Sequence, residues 1–202
     1  IKDNAAARRA YILGIIPTQL TVQTTLATLG DYARTTDTST VNLSGTVHAA
    51  KTRSVRVDGV AANLNAKNGT WSLGTVPLRP GINRLLVQAF DGANGTGNLI
   101  EQQFIDVWSE PAGSGQNLTG TISSNRTLTT AAGPYRVTGD VTVAAGVTLT
   151  IEPGTSIYFD AGTQLNINGR LVAEGTQHEQ IRFTRTPNTT GRPNCPSATA
   201  SR

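Results

Sequence analysis

The chain is poor in the residues that carry thiol and imidazole chemistry: it has one cysteine, two histidines and no methionine in 202 residues. Because Cys195 is alone, an internal disulfide cannot stabilise the fold. The same scarcity excludes a His/Cys zinc site, which usually needs four such ligands. His48 follows a predicted strand, His178 lies in a predicted turn, and neither is near a G-x-S-x-G nucleophile motif. We interpret both as surface residues.

Charge is also scarce, at 15% of residues, and the net charge of +4 is not gathered into a basic run. Nucleic-acid binding, which needs a basic stripe or a known motif, is therefore not expected. No apolar run is long enough to cross a bilayer, so no membrane span is predicted. The first residues lack both an initiator methionine and the pattern of a signal peptide. We expect the sequence to be a fragment of a longer protein.

What the sequence does contain is a hydrophobic repeat in its last third. Apolar residues come as i, i+2 pairs, the spacing of one face of a strand. Turn dipeptides such as Pro153-Gly154 and Ala161-Gly162 separate the pairs. The repeat predicts a stack of β-coils in which equivalent residues recur at every sixteenth position. Its members are Val141, Ile157 and Ala173; Leu149, Leu165 and Ile181; Ile151, Ile167 and Phe183.

Residues 20 to 109 show a different β pattern, with about seven short β-branched or apolar runs. Asp58-Gly59 lies between two such runs and predicts a two-residue hairpin turn. Seven strands in about ninety residues match the size of an immunoglobulin-like sandwich. Since the cysteine pair of antibody domains is absent, hydrophobic packing must hold these strands together.

The order of motifs in this region resembles the bacterial Ig-like repeat. The matching stretches are residues 55–60 (VRVDGV), 69–72 (GTWS), 76–83 (VPLRPGIN) and 87–91 (VQAFD). The resemblance implies a spacer or accessory module of a secreted protein, with Trp71 buried in its core.

Residues 134–155 resemble the opening coils of right-handed parallel β-helix domains in large bacterial surface proteins. The matching stretch reads PYRVTGDVTV followed by GVTLTIEPGT, and residues 169–176 (GRLVAEGT) and 181–184 (IRFT) fit the same pattern. The resemblance implies a structural surface module. Related β-helices that act on polysaccharides form their grooves over many more coils than the three predicted here.

The two ends of the chain differ from the rest. Residues 3–13 favour a helix, and Arg8 to Leu13 resembles the final helix of the spore-coat-H-type kinase-like domain. That resemblance implies catalytic residues upstream of Ile1. Residues 185–202 contain three prolines and no apolar pair, which predicts disorder or a truncated reading frame.

The predicted fold class is therefore all-β: an immunoglobulin-like β-sandwich plus the first coils of a parallel β-helix, with a short N-terminal helix. The predicted domains are residues 1–19 (terminal helix of an upstream domain and linker), 20–109 (sandwich), 110–116 (linker), 117–184 (β-helix coils) and 185–202 (disordered tail).

Three groups of residues are candidates for a site. Asp91, Asn94 and Asn98 offer oxygen ligands to Ca²⁺, although a hairpin loop with one carboxylate is the simpler interpretation. Trp108 and Tyr135 are candidates for stacking on a sugar, against the alternative of core and domain-junction packing. Carboxylates of the coiled region (Asp140, Glu152, Asp160 and Glu174) do not share a phase of the repeat, so a glycosidase pair is not expected.

Taken together, these features predict a non-catalytic structural and adhesion spacer of a large secreted or cell-surface bacterial protein. No catalytic residue and no cofactor are predicted, apart from the Ca²⁺ possibility. The expected partners are other domains of the same polypeptide and extracellular polysaccharide. The alternatives are a fragment of a polysaccharide-active β-helix enzyme and a carbohydrate-binding accessory module. The chain also has six Asn-x-Ser/Thr triplets, which are frequent by chance in a sequence rich in Asn, Ser and Thr.

Overall fold

A computed structural model describes Asn4, residues 16–29 and residues 32–186. These residues form seventeen β-strands and one short 3-10 helix at Ala93–Gly95. The strands are β1 Thr28–Leu29, β2 Tyr32–Thr35, β3 Thr40–Thr46, β4 Ser54–Val57, β5 Val60–Ala61, β6 Asn63–Asn65, β7 Thr70–Pro77, β8 Gly81–Phe90, β9 Leu99–Ser109, β10 Gln116–Ile122, β11 Arg126–Leu128, β12 Tyr135–Val143, β13 Thr148–Ile151, β14 Ser156–Phe159, β15 Leu165–Ile167, β16 Arg170–Ala173 and β17 Arg182–Arg185.

The all-β class predicted from the sequence is confirmed. Of the helix predicted over residues 3–13, only Asn4 is described, and it is helical. The kinase-like motif at residues 8–13, Cys195 and nearly all of the predicted tail lie outside the described residues. In the part of the chain that is described, no helix has the length and hydrophobicity of a transmembrane span.

The chain divides into two compact units, and β8 and β9 contribute residues to both. Unit 1 comprises residues 1–25, 40–77 and 85–105, and unit 2 comprises residues 26–39, 78–84 and 106–202. Unit 1 contains the antiparallel sheet β3-β7-β6 and the strand order β9-β8-β4-β5. Alternation along β3 and β4 places their valines and Leu43 in the core, where Trp71 is also buried.

The predicted hairpin at Asp58-Gly59 is confirmed. Val57 and Val60 pair across a two-residue turn in which both central residues have positive φ, 46° at Asp58 and 80° at Gly59. This is the conformation of the turn that matches strand twist, and it explains the preference for an Asp-Gly pair.

Unit 2 is built on a β-solenoid of about three turns. Parallel pairing joins β10 to β12, β12 to both β14 and β15, β14 to β17, β11 to β13, and β13 to β16. Each coil has three sides, because the long strand β12 pairs with β14 through residues 135–137 and with β15 through residues 141–143. The inward side chains form one apolar core that includes Leu118, Leu128, Val143, Leu149 and Ile157.

The coil length differs from the sixteen-position step predicted from the sequence, and that part of the prediction is wrong. Paired residues of successive coils lie 19 to 26 positions apart, as for Val141 with Leu165 and for Leu149 with Leu171. Apolar pairs recur at every eighth position because each pair belongs to one side of the coil. The sixteen-position repeat spans two sides, and a third side completes the turn.

The last rung of the solenoid shows what stacking contributes. Leu149 is 1% exposed, whereas its in-register partner Leu171 is 37% exposed. Ile157 is likewise buried, while Phe183, which pairs with it, is 42% exposed. Within the described residues, no strand stacks on β16 or β17.

Candidate functional site

An aromatic cluster lies where unit 2 brings β2, β9 and β14 together. Trp108 is fully buried, its indole centroid is 5.2 Å from that of Tyr158, and Tyr32 meets it edge-on at 5.9 Å. Ile82 completes the cluster. The sequence allowed two interpretations of Trp108, stacking on a sugar or packing in the core. In the structure its ring packs against protein side chains.

Charged groups surround this cluster. The Arg34 guanidinium lies 6.0 Å from the indole centroid of Trp108 and forms an ion pair with Glu110 at 2.7 Å. Burial raises the pKa of the Tyr158 hydroxyl, and the negative charge of Glu110 raises it further. Tyr158 is therefore a neutral phenol across the physiological pH range.

Asp106 binds two arginines from different parts of unit 2. Its Oδ1 and Oδ2 accept from Arg84 at 2.9 and 3.1 Å, and Oδ2 also accepts from Arg182 at 2.7 Å. The three side chains are mostly shielded from solvent. Nearby, the Ser156 hydroxyl accepts from the backbone N–H of Ile82 at 2.9 Å. These bonds attach β14 and β17 of the solenoid to the strands β8 and β9.

Tyr135, the second candidate for sugar stacking, lies inside the solenoid and is almost completely buried. Its hydroxyl accepts from the N–H of Thr129 at 2.9 Å and donates to the carbonyl of the same residue at 3.2 Å. The ring faces are covered and the polar end is satisfied by the preceding loop. The arrangement holds that loop in place.

The candidate Ca²⁺ loop is closed by its own hydrogen bonds. Oδ1 and Oδ2 of Asp91 accept from the backbone N–H and the side-chain amide of Asn98, at 2.7 and 3.0 Å. These bonds lower the pKa of Asp91, with the side-chain bond contributing most. The guanidinium of Arg56 donates to the carbonyl oxygen of Asn94. The structure thus brings Asp91 and Asn98 together. The backbone carbonyl of Asn94 accepts a hydrogen bond from the Arg56 guanidinium.

The carboxylates of the solenoid fasten one coil to the next. Asp140 accepts from the N–H of Gln164 at 3.0 Å, and Glu152 accepts from the N–H of Thr130 at 3.1 Å. Glu174 is exposed. Among the described residues, no group of three or more His, Cys, Asp or Glu side chains is placed to hold a metal ion.

Asp160 accepts hydrogen bonds from two side chains of the solenoid. Its Oδ1 accepts from Arg136 Nε at 2.7 Å and from the Thr186 hydroxyl at 2.6 Å. The bond from Arg136 lowers the pKa of the Asp160 carboxyl most, and the Thr186 hydroxyl adds to it against the opposing effect of partial burial. The side chain joins β12 to the segment that follows β17.

We expect Asp160 to contribute stability that depends on pH. Because its pKa is lower in the folded chain, the contribution is present above the unfolded pKa of about 3.9 and is lost as pH falls through the folded value. The free energy of unfolding of Asp160→Asn should lie below that of the wild type at pH 6, and the difference should shrink as pH falls below about 3.9. A difference of constant size from pH 6 to pH 2 would contradict this assignment.

Sequence reasoning did not find the network of Asp106, Arg84 and Arg182. The partners of Asp106 are 22 and 76 positions away, and no local spacing marks them. The one available signal was that Asp106 directly precedes the apolar residues Val107 and Trp108.

These features define the chain as an all-β protein with a β-solenoid of about three turns. No family model matches it and no solved structure matches it. Among curated proteins, Protein bark beetle of Drosophila melanogaster is 35% identical over 103 residues, which cover 46% of this chain. The matched region is 3% of the length of that protein.

Proposed function

We propose that the chain is a non-catalytic structural and adhesion spacer of a large secreted or cell-surface protein. Unit 1 is interpreted as an Ig-like sandwich and the solenoid of unit 2 as the first coils of a parallel β-helix. The motif resemblances support a bacterial source for both modules, while the similarity to the Drosophila protein extends the comparison to an animal sequence. Other domains of the same polypeptide are the expected partners, together with extracellular polysaccharide.

The observation that carries the proposal is that the carboxylates of the solenoid form hydrogen bonds within the fold. Asp140, Glu152 and Asp160 hold neighbouring coils. A retaining or inverting glycosidase needs two carboxyl groups facing a sugar across a groove, whereas these accept hydrogen bonds from the chain. Trp108 and Tyr135 are likewise covered.

The proposal predicts no turnover of polysaccharides. The full chain, incubated with pectin, alginate and a panel of other polysaccharides, should release no reducing ends and no unsaturated products. Depolymerisation that disappears in Asp140→Asn or Asp160→Asn, with the circular dichroism spectrum unchanged, would establish the alternative of a polysaccharide-active enzyme. Glycan-array binding that is lost in a folded Trp108→Phe variant would establish a carbohydrate-binding module.

A further inference from the structure

The proposed function assigns no role to the Asn-x-Ser/Thr triplets of the chain. Such a triplet is an acceptor for N-linked glycan when it lies on the surface of a secreted protein. Five of them lie in the described residues, and all five asparagines are exposed. They are Asn42, Asn68, Asn94, Asn117 and Asn125, while Asn188 lies outside the described residues.

Asn68 differs from the others in its local structure. It lies in the turn of residues 66–69, between β6 and β7. The hydroxyl of Thr70, two positions on, donates to Asn68 Oδ1 at 2.8 Å. Within the described residues, the amide nitrogen of Asn68 has no hydrogen-bond partner. The hydroxyl of Thr70 thus contacts the side-chain amide of Asn68 in the folded chain. The amide nitrogen of Asn68 remains available to react.

Gly69 fixes the shape of that turn. Its φ is +65°, and a Cβ at this position would lie 2.7 Å from the Cβ of Ala49. Its carbonyl accepts from the N–H of Val47 at 2.8 Å. Only glycine fits here, so the central residue of the triplet holds Asn68 outward on a defined turn.

Two of the other asparagines are engaged in holding neighbouring strands. Oδ1 of Asn42 accepts from the N–H of Thr75 at 3.0 Å, and Oδ1 of Asn125 accepts from the N–H of Thr148 at 2.8 Å. In each case the side-chain oxygen accepts a hydrogen bond from the backbone of another strand, not from the hydroxyl of its own triplet.

The remaining two lack the contact between hydroxyl and amide. In the triplet of Asn94, the Thr96 hydroxyl donates to the carbonyl of Ala93 at 2.7 Å. Asn117 lies within β10, and within the described residues the hydroxyl of Thr119 forms no hydrogen bond with the Asn117 side chain. Asn68 is therefore the triplet whose folded geometry suits modification.

We propose that Asn68 is an acceptor site for N-linked oligosaccharide when the chain passes through a secretory pathway that contains an oligosaccharyltransferase. The donor class is a lipid-pyrophosphate-linked oligosaccharide. The Asn68 amide nitrogen forms a bond to C1 of the first sugar and loses a proton to a base of the transferase. The bond from C1 to the pyrophosphate oxygen breaks, and the lipid pyrophosphate leaves with its electron pair. The proposal rests on the secretion part of the proposed function and adds a modification to it.

The test is secretion of the full chain from insect cells behind a cleavable leader, followed by mass spectrometry of tryptic peptides. Residues 68–84 form one such peptide, because Pro80 blocks cleavage after Arg79, and it should carry glycan in most molecules. Asn68→Gln should remove one glycan from the intact mass, whereas the matched control Asn125→Gln should leave the mass distribution of the glycans unchanged. Thr70→Ser should retain modification, and Thr70→Val, which keeps the side-chain shape, should abolish it.

An unmodified 68–84 peptide from folded, secreted chain would overturn the proposal, as would higher occupancy at Asn125 than at Asn68. Neither result bears on the spacer function, which is tested with unglycosylated chain made in bacteria. Conversely, polysaccharide turnover by that unglycosylated chain would overturn the spacer function and leave the acceptor site standing.

Discussion

Trp108→Ala is expected to lower the free energy of unfolding of unit 2 by about 3–5 kcal/mol, the usual cost of truncating a buried Trp or Phe. The indole is fully buried between Tyr32 and Tyr158 and fills the space beside Ile82. Its removal leaves a cavity among strands that cannot collapse independently. Urea unfolding followed by far-UV circular dichroism, with unfolding of the wild-type chain as reference, measures the loss.

Two variants control this experiment. Trp108→Phe retains a ring in the cluster and should lose clearly less than Trp108→Ala. Val60→Ala removes an exposed apolar side chain from the hairpin of unit 1 and should change stability by at most about 0.5 kcal/mol. If Trp108→Ala costs no more than Val60→Ala, the ring does not have the packing role assigned to it.

The second large effect is expected inside the solenoid. Leu149→Ala should cost about 2–5 kcal/mol, because the side chain is buried between coils and its removal leaves a cavity. Leu171→Ala is its matched control, since the same residue type occupies the next rung of the same column. The control should cost at most about 1 kcal/mol, because Leu171 is already partly in solvent.

The comparison is made by chemical denaturation of the two variants under one set of conditions. Equal losses would mean that Leu171 is covered in solution, and the description of the last rung would then be wrong. A loss below about 1 kcal/mol for Leu149→Ala would contradict its place in the core.

Local patterns in the sequence predicted local structure well. Alternation of apolar residues identified β3, β12 and β13 because one face of each strand is buried. The Asp58-Gly59 turn was predicted correctly because positive φ at two successive positions restricts the residue types. The i, i+2 pairs of apolar residues also correspond to strands, and each pair marks one side of the coil.

The features that could not be predicted depend on which strands of successive coils stack on one another. The same spacing of apolar pairs fits a coil of two or three sides, and the register of the paired strands, such as Val141 with Leu165, decides between them. The hydrogen bonds that Arg182 donates to Asp106 and that the Ile82 N–H donates to Ser156 join segments 76 and 74 positions apart. Such pairs leave no periodic trace in a single sequence.

The three-sided coil is tested most directly by disulfide cross-linking of outward-facing positions in a Cys195→Ser background. Thr142 and Asn166 are partners in the parallel register of β12 and β15, and neighbouring strands lie about 4.8 Å apart, within reach of a disulfide. The double variant Thr142→Cys/Asn166→Cys should oxidise readily to one intramolecular disulfide. Thr150→Cys/Asn166→Cys, which has the sixteen-position spacing of the apolar repeat but joins different sides of the coil, should not. Efficient cross-linking of the second pair and not of the first would contradict the three-sided coil.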